Sequence, residues 1–377
     1  MRINKVTARK ILNSLGNWTL EVTIESPKNK ATASVPQGES TGQYEAKPVS
    51  IDVALENLKK IHKDLVGEDF YSIQEFDSTL IALDGTATKE NLGANLVLAL
   101  SIAFTKLLAY EKNKEIYRFL SDIINKQPTL PKFMLLIFEG GKHGSPKLTI
   151  QEFMLIIDDI EKAREAISKY KNYLTEKNLF TGYGLEGAFT SSTFNDYDVL
   201  ELLTKTTPEY KIALDVAESS RVGEPLNFEE MIQKFNIGSI EDPKDEKDYT
   251  SWKDFYKTWK NKLMIVADDL TTTNKTLIEN AQKEKLANAI IIKPNQVGTV
   301  SETLMAIEQA RKENWKIIVS HRGGDTNDSF IADLAIGVSA DYVKFGGLQR
   351  GERIAKYNRF LEIKNKLSLD NVVASIL

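Results

Sequence analysis

Six ionisable residues recur in the second half of the chain, each directly after a short apolar run. In chain order they are Asp215, Glu241, Asp268, Lys293, His321 and Lys344. Their intervals of roughly 25 residues are typical of one strand and one helix per step. If the strands are parallel neighbours, their carboxyl ends meet at one edge of the sheet. We therefore expect one site with a carboxylate side and a cationic side.

The acidic half of this pattern suits a metal ion. Three carboxylates at one place repel one another unless a positive charge lies between them. An all-oxygen ligand set with one carboxylate per strand favours Mg²⁺ or Mn²⁺ over zinc. The alternative is that each carboxylate caps the helix that follows it, a common role of aspartate. Repetition on three consecutive strands favours the metal site.

The basic half suits a small, multiply negative substrate that bridges the metal and the lysines. A lysine that lies beside other cations and near a metal has its ammonium form disfavoured, so it can act as a base near neutral pH. A solvated charge is the alternative for an isolated lysine at a strand end. The position of Lys293 and Lys344 in the series favours a functional role.

The composition limits the other chemistries open to the chain. It has 377 residues, no cysteine, three histidines and a formal net charge of −4. Without cysteine there is no disulfide framework, Cys-ligated zinc, iron–sulfur cluster or thiol nucleophile. The mild acidic excess argues against dedicated nucleic-acid binding. Polar residues interrupt the apolar run 92–108, so we predict a buried helix there and no membrane binding. The first residues lack the apolar stretch of a signal peptide, so we expect a cytoplasmic protein.

The elements that must position these residues fall into two parts, of which the first is α+β. Residues 3–12, 18–26 and 30–35 alternate in polarity as strands do, and a turn-rich loop follows at 36–42. Helical spacing comes next. Strands followed by helices predict a small α+β domain, and we place its end at residue 128.

The second part, residues 129–377, is predicted to be a β/α barrel. Two strand-like runs, 132–137 and 148–157, precede a helical stretch at 159–177, and the six strand–helix units follow. Eight strands buried on both faces match the closed barrel, whose active sites lie at the carboxyl ends of the strands. An open doubly wound sheet is the alternative, but it would not bring all six strand ends together. The predicted fold class is therefore α/β.

One glycine pattern suggests a different function. Residues 182–187 read G-Y-G-L-E-G and fit the dinucleotide-binding pattern G-x-G-x-x-G. This fingerprint requires a preceding strand, whereas these residues follow a charged helical stretch. We therefore predict no dinucleotide site.

Several segments resemble the enolase family, glycolytic lyases that interconvert 2-phosphoglycerate and phosphoenolpyruvate. In chain order they are residues 8–22, 35–42, 151–154, 239–243, 266–271, 293–296 and 320–322. The resemblance covers essentially the whole chain. It implies an N-terminal α+β cap domain that carries a mobile serine loop at 35–42. It also implies a following eight-stranded, TIM-like barrel whose second strand is antiparallel.

The resemblance implies a role for each candidate residue. The first of two Mg²⁺ ions would be held by Asp215, Glu241 and Asp268. Ser40 would help to place the second Mg²⁺ when substrate is bound and the loop closes. Lys293 would remove the proton next to the substrate carboxylate, leaving an aci-carboxylate that the metals stabilise. The other catalytic residues would be the general acid Glu186, its neighbour Glu152, and His321. The substrate-binding residues would be His143, Gln151, Arg322, Gly323 and Lys344.

Several positions depart from the family pattern. Leu15, Glu39, Glu139, Leu185 and Gly323 stand where arginine, a small residue, asparagine, aspartate and serine are expected. Loss of the serine hydroxyl at 323 removes one contact to a charged phosphate, about 1.5–3 kcal/mol. Leu15 removes a charge that in the family pairs across the interface of the implied homodimer, or of a higher oligomer built from dimers.

Three functional hypotheses follow. The leading one is an active, divergent enolase, a Mg²⁺-dependent hydro-lyase acting on a small phosphorylated anion. The second keeps the chemistry of the superfamily but changes the substrate to another 2-hydroxy acid. The third is a weakly catalytic relative that binds a macromolecular partner, because a fold does not determine a function.

Overall fold

The N-terminal part of the chain is a three-stranded antiparallel sheet followed by four helices. The computed structural model describes residues 1–38, 44–141, 144 and 147–376, with side chains described to residue 369. The sheet has the order β1-β2-β3. Its strands are β1 (Lys5–Leu12), β2 (Trp18–Glu25) and β3 (Lys30–Ser34). The helices are α1 (Ile51–Leu65), α2 (Ile73–Asp84), α3 (Ala94–Glu111) and α4 (Ile116–Ile123).

A side chain within the turn shapes the hairpin between β1 and β2. The Asn13 carboxamide oxygen accepts the N–H groups of Leu15 and Asn17, each at 3.0 Å. Gly16 has φ +76°, a conformation that glycine adopts without steric cost. The predicted hairpin is confirmed, and all three predicted strands agree with the structure to within two residues.

Helix α3 is the buried centre of this part. It is apolar on nearly all sides and packs against β2 and β3. Among the described residues it is the one helix whose length and composition would allow it to cross a membrane, and 83% of it is buried inside the protein. This burial confirms the prediction of a core helix at 92–108, since a helix that is apolar all round needs neighbours on every side.

The second part is a closed barrel of eight strands. The order around the barrel is β10-β11-β4-β5-β6-β7-β8-β9. Its strands are β4 (Lys132–Glu139), β5 (Glu152–Ile157), β6 (Lys211–Asp215), β7 (Ile237–Glu241), β8 (Met264–Ala267), β9 (Ala289–Ile292), β10 (Lys316–Ser320) and β11 (Tyr342–Lys344). Closure excludes the open doubly wound sheet. The predicted domain boundary at residue 128 falls in the connection between α4 and β4 and stays a prediction.

Strand β5 runs antiparallel to both of its neighbours, as the resemblance implied. Its first residue therefore lies at the same edge of the barrel as the last residues of the parallel strands. Glu152 is opposite Glu139 of β4 on one side and Asp215 of β6 on the other. A parallel β5 would have placed Glu152 at the far end of the barrel.

Helices surround the barrel, and six of them begin at a residue whose side chain caps the first turn. They are α5 (Ile160–Glu176), α6 (Asp196–Thr206), α7 (Phe228–Lys234), α8 (Tyr249–Trp259), α9 (Lys275–Glu284), α10 (Pro294–Val297), α11 (Val300–Lys312), α12 (Phe330–Gly337) and α13 (Gly351–Ile376). The caps of α7, α8 and α9 are Asn227, Asp248 and Asn274. The strand-end carboxylates of β6, β7 and β8 therefore do not cap the following helices, which removes the structural alternative for them.

A buried carboxylate joins the two parts of the chain. Asp77 of α2 accepts the N–H of Ser301 at 2.8 Å, in the first turn of α11. That turn has unsatisfied donors that favour a negative charge. Burial nevertheless raises the pKa of Asp77 to about 6, although hydrogen bonds from Ser101 and Ser301 oppose this shift.

This raised pKa predicts a pH-dependent contribution to stability. A carboxyl with a pKa of 3.8 when unfolded and about 6 when folded binds more protons in the native state between those values. Its contribution is fully present below pH 3.8 and is lost as the pH rises through 6. Relative to wild type, the free energy of unfolding of Asp77→Asn should therefore rise between pH 4 and 7, measured by urea unfolding. The exposed Asp254→Asn is the control, and an equal pH trend in both variants would contradict the prediction.

Candidate active site

The barrel mouth gathers every predicted site residue that the structure describes. Ser40 and His143 lie outside the described residues. Ten of the others line one cavity: Gln151, Glu152, Glu186, Asp215, Asp268, Lys293, His321, Arg322, Gly323 and Lys344. Glu241 is buried beside them at the end of β7 and contacts Lys344. The predicted meeting of strand ends is thus confirmed for these residues.

The ammonium group of Lys344 is the centre of the acidic side. It lies 2.7 Å from a Glu152 oxygen, 2.9 Å from an Asp215 oxygen and 2.9 Å from a Glu241 oxygen. Burial alone would lower the pKa of Lys344, but these three carboxylates outweigh it and hold the pKa well above its usual value. Lys344 is therefore a permanent cation that compensates charge at the base of the site.

Lys293 forms a second ion pair, with Asp268. The other Asp268 oxygen accepts a hydrogen bond from Gln296 at 3.0 Å. Burial alone would lower the pKa of Lys293, but Asp268 outweighs it and the pKa is raised. In this arrangement the Asp268 carboxylate, at the end of the adjacent strand, favours the charged form of Lys293. The role of Lys293 as a base stays a prediction.

The carboxylates at the mouth fit a hard cation. Burial, followed by repulsion from Asp215, holds the pKa of Glu241 well above its usual range. A divalent cation would relieve that repulsion, and the donors are all oxygen atoms, which Mg²⁺ and Mn²⁺ prefer. In the described structure, however, Asp215 and Glu241 meet Lys344 while Asp268 meets Lys293. For Asp215, Glu241 and Asp268 to hold one metal ion together, the ammonium groups of Lys344 and Lys293 would have to move away from them.

Two groups of three side chains at the mouth bring their possible ligand atoms close to one another. The oxygens of Asp242, Asp268 and Asp269 lie within 4.8 Å of one another, as do the ligand atoms of Glu152, Glu186 and His321. Asp242 accepts the N–H groups of Asp268 at 3.0 Å and Asp269 at 2.8 Å, which holds the end of β8 in place.

Glu152, Glu186 and His321 form a proton-holding group. Burial raises the pKa of Glu152 to about 8, Lys344 opposes the shift, and the charge and hydrogen bond of Glu186 add to it. The two carboxyls therefore share a proton at neutral pH. The His321 Nε2 atom lies 3.5 Å from a Glu186 oxygen. Burial holds the pKa of His321 well below its usual value, so its ring is neutral.

The cationic side contains a partner that the sequence analysis missed. Arg322 donates to Glu45 at 3.0 Å and to Asn295 at 3.1 Å. Glu45 belongs to the N-terminal part and is buried against the barrel. No spacing in the sequence connects residues 45 and 322, so only the packing of the two parts could reveal the pair. Arg353 was also missed; it is fully buried on α13 and lies 3.8 Å from Glu186.

Removal of the Lys344 charge should strongly destabilise the fold. Lys344→Met leaves three buried carboxylates without their cation, and we expect a loss of about 3–5 kcal/mol in the free energy of unfolding. Lys316→Met is the matched control, because Lys316 is half-exposed and pairs with Asp341 at the other end of the barrel. That variant should lose at most about 1 kcal/mol. Guanidinium unfolding measures both, and equal losses would show that Lys344 has no special role.

Comparison with known proteins agrees with this architecture. A family model described as "Enolase, N-terminal domain" matches residues 3–120, and one described as "Enolase, C-terminal TIM barrel domain" matches residues 225–375. A protein named enolase from Pelagibacter ubique is 37% identical over 97% of both chains. Enolases from Helicobacter pylori (strain G27) and Ehrlichia canis are 36% and 34% identical, over 97% and 98% of this chain and 96% and 98% of their own. The chain belongs to the enolase family.

Proposed function

We propose that this protein is a hydro-lyase that interconverts 2-phosphoglycerate and phosphoenolpyruvate. One observation carries the proposal: a base candidate, Lys293, and an acid candidate, Glu186, line the same cavity as the buried carboxylates. Full-length similarity to proteins named enolase supports this substrate over another 2-hydroxy acid. It also favours an enzyme over a relative that only binds a macromolecule.

Lys293 is the base that removes the proton next to the substrate carboxylate. We assign Asp215, Glu241 and Asp268 to one Mg²⁺, with Ser40 assisting at a second. Burial favours the neutral amine of Lys293 and Asp268 opposes it, so a cation that shared the Asp268 charge would leave the effect of burial. Bound Mg²⁺ supplies electrostatic stabilisation of the negative charge that develops on the substrate carboxylate.

Glu186 is the general acid that protonates the departing hydroxyl. Its proton is the one shared with Glu152, whose raised pKa of about 8 keeps the pair protonated at neutral pH. Neutral His321 lies on the other side of Glu186 and adds no competing charge. Proton removal and proton donation therefore come from separate groups, Lys293 and the Glu152–Glu186 pair.

The substrate is a small anion with charge at both ends. Arg322 binds the phosphate, with the backbone of Gly323 beside it, and Lys344 lies at the carboxylate end. Gln151, which donates to Asp215 at 3.3 Å, and His143 complete the binding residues. Arg322 must give up its ion pair with Glu45 to bind the phosphate, and loss of that pair weakens substrate binding.

The cellular setting follows the family. We propose a glycolytic, cytoplasmic enzyme without nucleic-acid or membrane partners, assembled as a homodimer or a higher oligomer built from dimers. Leu12 and Trp18 support an assembly surface: they face each other across β1 and β2 and are 58% and 57% exposed. Large apolar side chains exposed side by side are typical of interaction surfaces.

Turnover of 2-phosphoglycerate tests the proposal directly. Purified protein should form the enol product, followed by ultraviolet absorbance, only when Mg²⁺ is present. Chelation by EDTA should abolish turnover, and added Mg²⁺ should restore it, because the negative charge that develops on the substrate carboxylate would lack its stabilising cation. A protein that leaves 2-phosphoglycerate unchanged at saturating Mg²⁺, or prefers a different 2-hydroxy acid, would refute the assignment.

Two variants separate the base from the acid. Lys293→Ala should abolish both dehydration and the exchange of the substrate's carbon-bound proton with D₂O, followed by NMR. Glu186→Gln should lower dehydration by roughly 10²–10⁴-fold but retain the exchange, because the proton is removed by Lys293. If both variants lose exchange equally, the assignment of separate roles is wrong.

A further inference from the structure

The segment that carries Glu186 is a tight glycine-rich turn. The Gly184 N–H donates to the Ala188 carbonyl at 2.9 Å, and the Gly187 N–H donates back to Gly184 at 3.4 Å. Gly187 has φ +83°. In this turn the N–H groups of Glu186 and Ala188 are not used internally and point towards β4. Two outward N–H groups that converge in this way form a binding site for an anion.

The side chain of Glu139 fills that site. One carboxylate oxygen accepts the Ala188 N–H at 3.0 Å. The Glu186 N–H donates to the other oxygen at 3.0 Å and also contacts the first at 3.3 Å. Glu139 is the last residue of β4 and has no solvent exposure. A Cβ atom on Gly184 would lie 2.3 Å from the Glu139 carboxyl carbon, so glycine is required there for the carboxylate to approach.

The opposite side of the turn is held by the connection after β11. The Gly347 N–H donates to the Glu186 carbonyl at 2.9 Å, and the Arg350 side chain donates to the Gly184 carbonyl at 2.9 Å. Backbone pairing also fixes the end of the turn, since the Phe189 N–H donates to Ile137 at 2.8 Å. The backbone of Glu186 is thus held on one side by a carboxylate and on the other by an N–H donor.

We propose that Glu139 is a positioning residue that holds the turn so that the Glu186 carboxyl meets Glu152 and His321. The inference rests on the proposed role of Glu186 as general acid. Asparagine is expected here in the family pattern, and its side chain is one methylene shorter and carries a single acceptor oxygen. Glutamate offers an acceptor oxygen to each N–H and a charge that strengthens both bonds. The family's expected aspartate at 185, which is leucine here, is not part of this clamp.

Glu139→Gln is the sharpest test, because it keeps the size of the side chain and replaces one acceptor oxygen with an NH₂ group. That group then faces either the Ala188 N–H, which loses its acceptor, or the Glu186 N–H, which keeps only the longer contact of 3.3 Å to the remaining oxygen. We expect dehydration of 2-phosphoglycerate to fall roughly 10–100-fold in kcat, as for a small misplacement of a catalytic group. KM should change less than threefold, and exchange of the substrate's carbon-bound proton should stay near the wild-type rate. Glu209→Gln, at the opposite end of the barrel, is the control and should leave all three unchanged.

Amide hydrogen exchange tests the clamp without any substrate. The Glu186 and Ala188 amides should exchange at least tenfold faster in Glu139→Gln than in wild type, while amides of β10 keep their protection. Unchanged exchange at both amides would overturn the proposal, as would equal losses of dehydration and proton exchange. If wild type fails to turn over 2-phosphoglycerate, the proposed function is refuted, whereas the amide measurement still decides whether Glu139 holds the turn.

Discussion

The mouth of the barrel depends on one buried cation, the ammonium group of Lys344. Three carboxylates from three strands lie within 3 Å of it, and none of these side chains is appreciably exposed. Uncompensated charges in such a place would cost several kcal/mol each. The cation therefore allows Glu152, Asp215 and Glu241 to remain close together, and the site is assembled before any ligand enters.

This compensation also determines how the catalytic groups work. The two lysines compensate the carboxylates that would hold a metal, so a cation bound there would also weaken the hold of Asp268 on Lys293. Glu152 contacts Lys344 and Glu186. Burial and the Glu186 carboxyl raise the pKa of Glu152, and Lys344 lowers it by less. Base and acid candidates have different partners: Lys293 pairs with Asp268, whereas Glu186 lies beside Glu152 and His321.

The antiparallel strand β5 and the turn at 184–188 place the two carboxyls of the proposed acid, Glu152 and Glu186, at the barrel mouth. Reversal of β5 brings Glu152 to the mouth, where the parallel strands deliver only their last residues. The Glu186 turn has no strand of its own and instead is held by hydrogen bonds to β4 and to the connection after β11. Glycines at 184 and 187 are structural requirements of that turn, which accounts for two of the three glycines in the G-x-G-x-x-G pattern at 182–187.

The sequence by itself determined the barrel, the order of its elements and the strand-end residues that meet at the mouth. Those features follow from local periodicity, because a strand–helix unit of roughly 25 residues places each charged residue at the same edge. Tertiary structure alone decided which carboxylate meets which cation. Arg322 with Glu45 and Glu139 with the Glu186 turn join residues whose separation in the chain has no period. Lys293 and Asp268 are one period apart, but the period did not show which carboxylate each lysine would meet. Electrostatic partnership depends on distances of a few ångströms and on burial, and both exist only after the two parts of the chain have packed together.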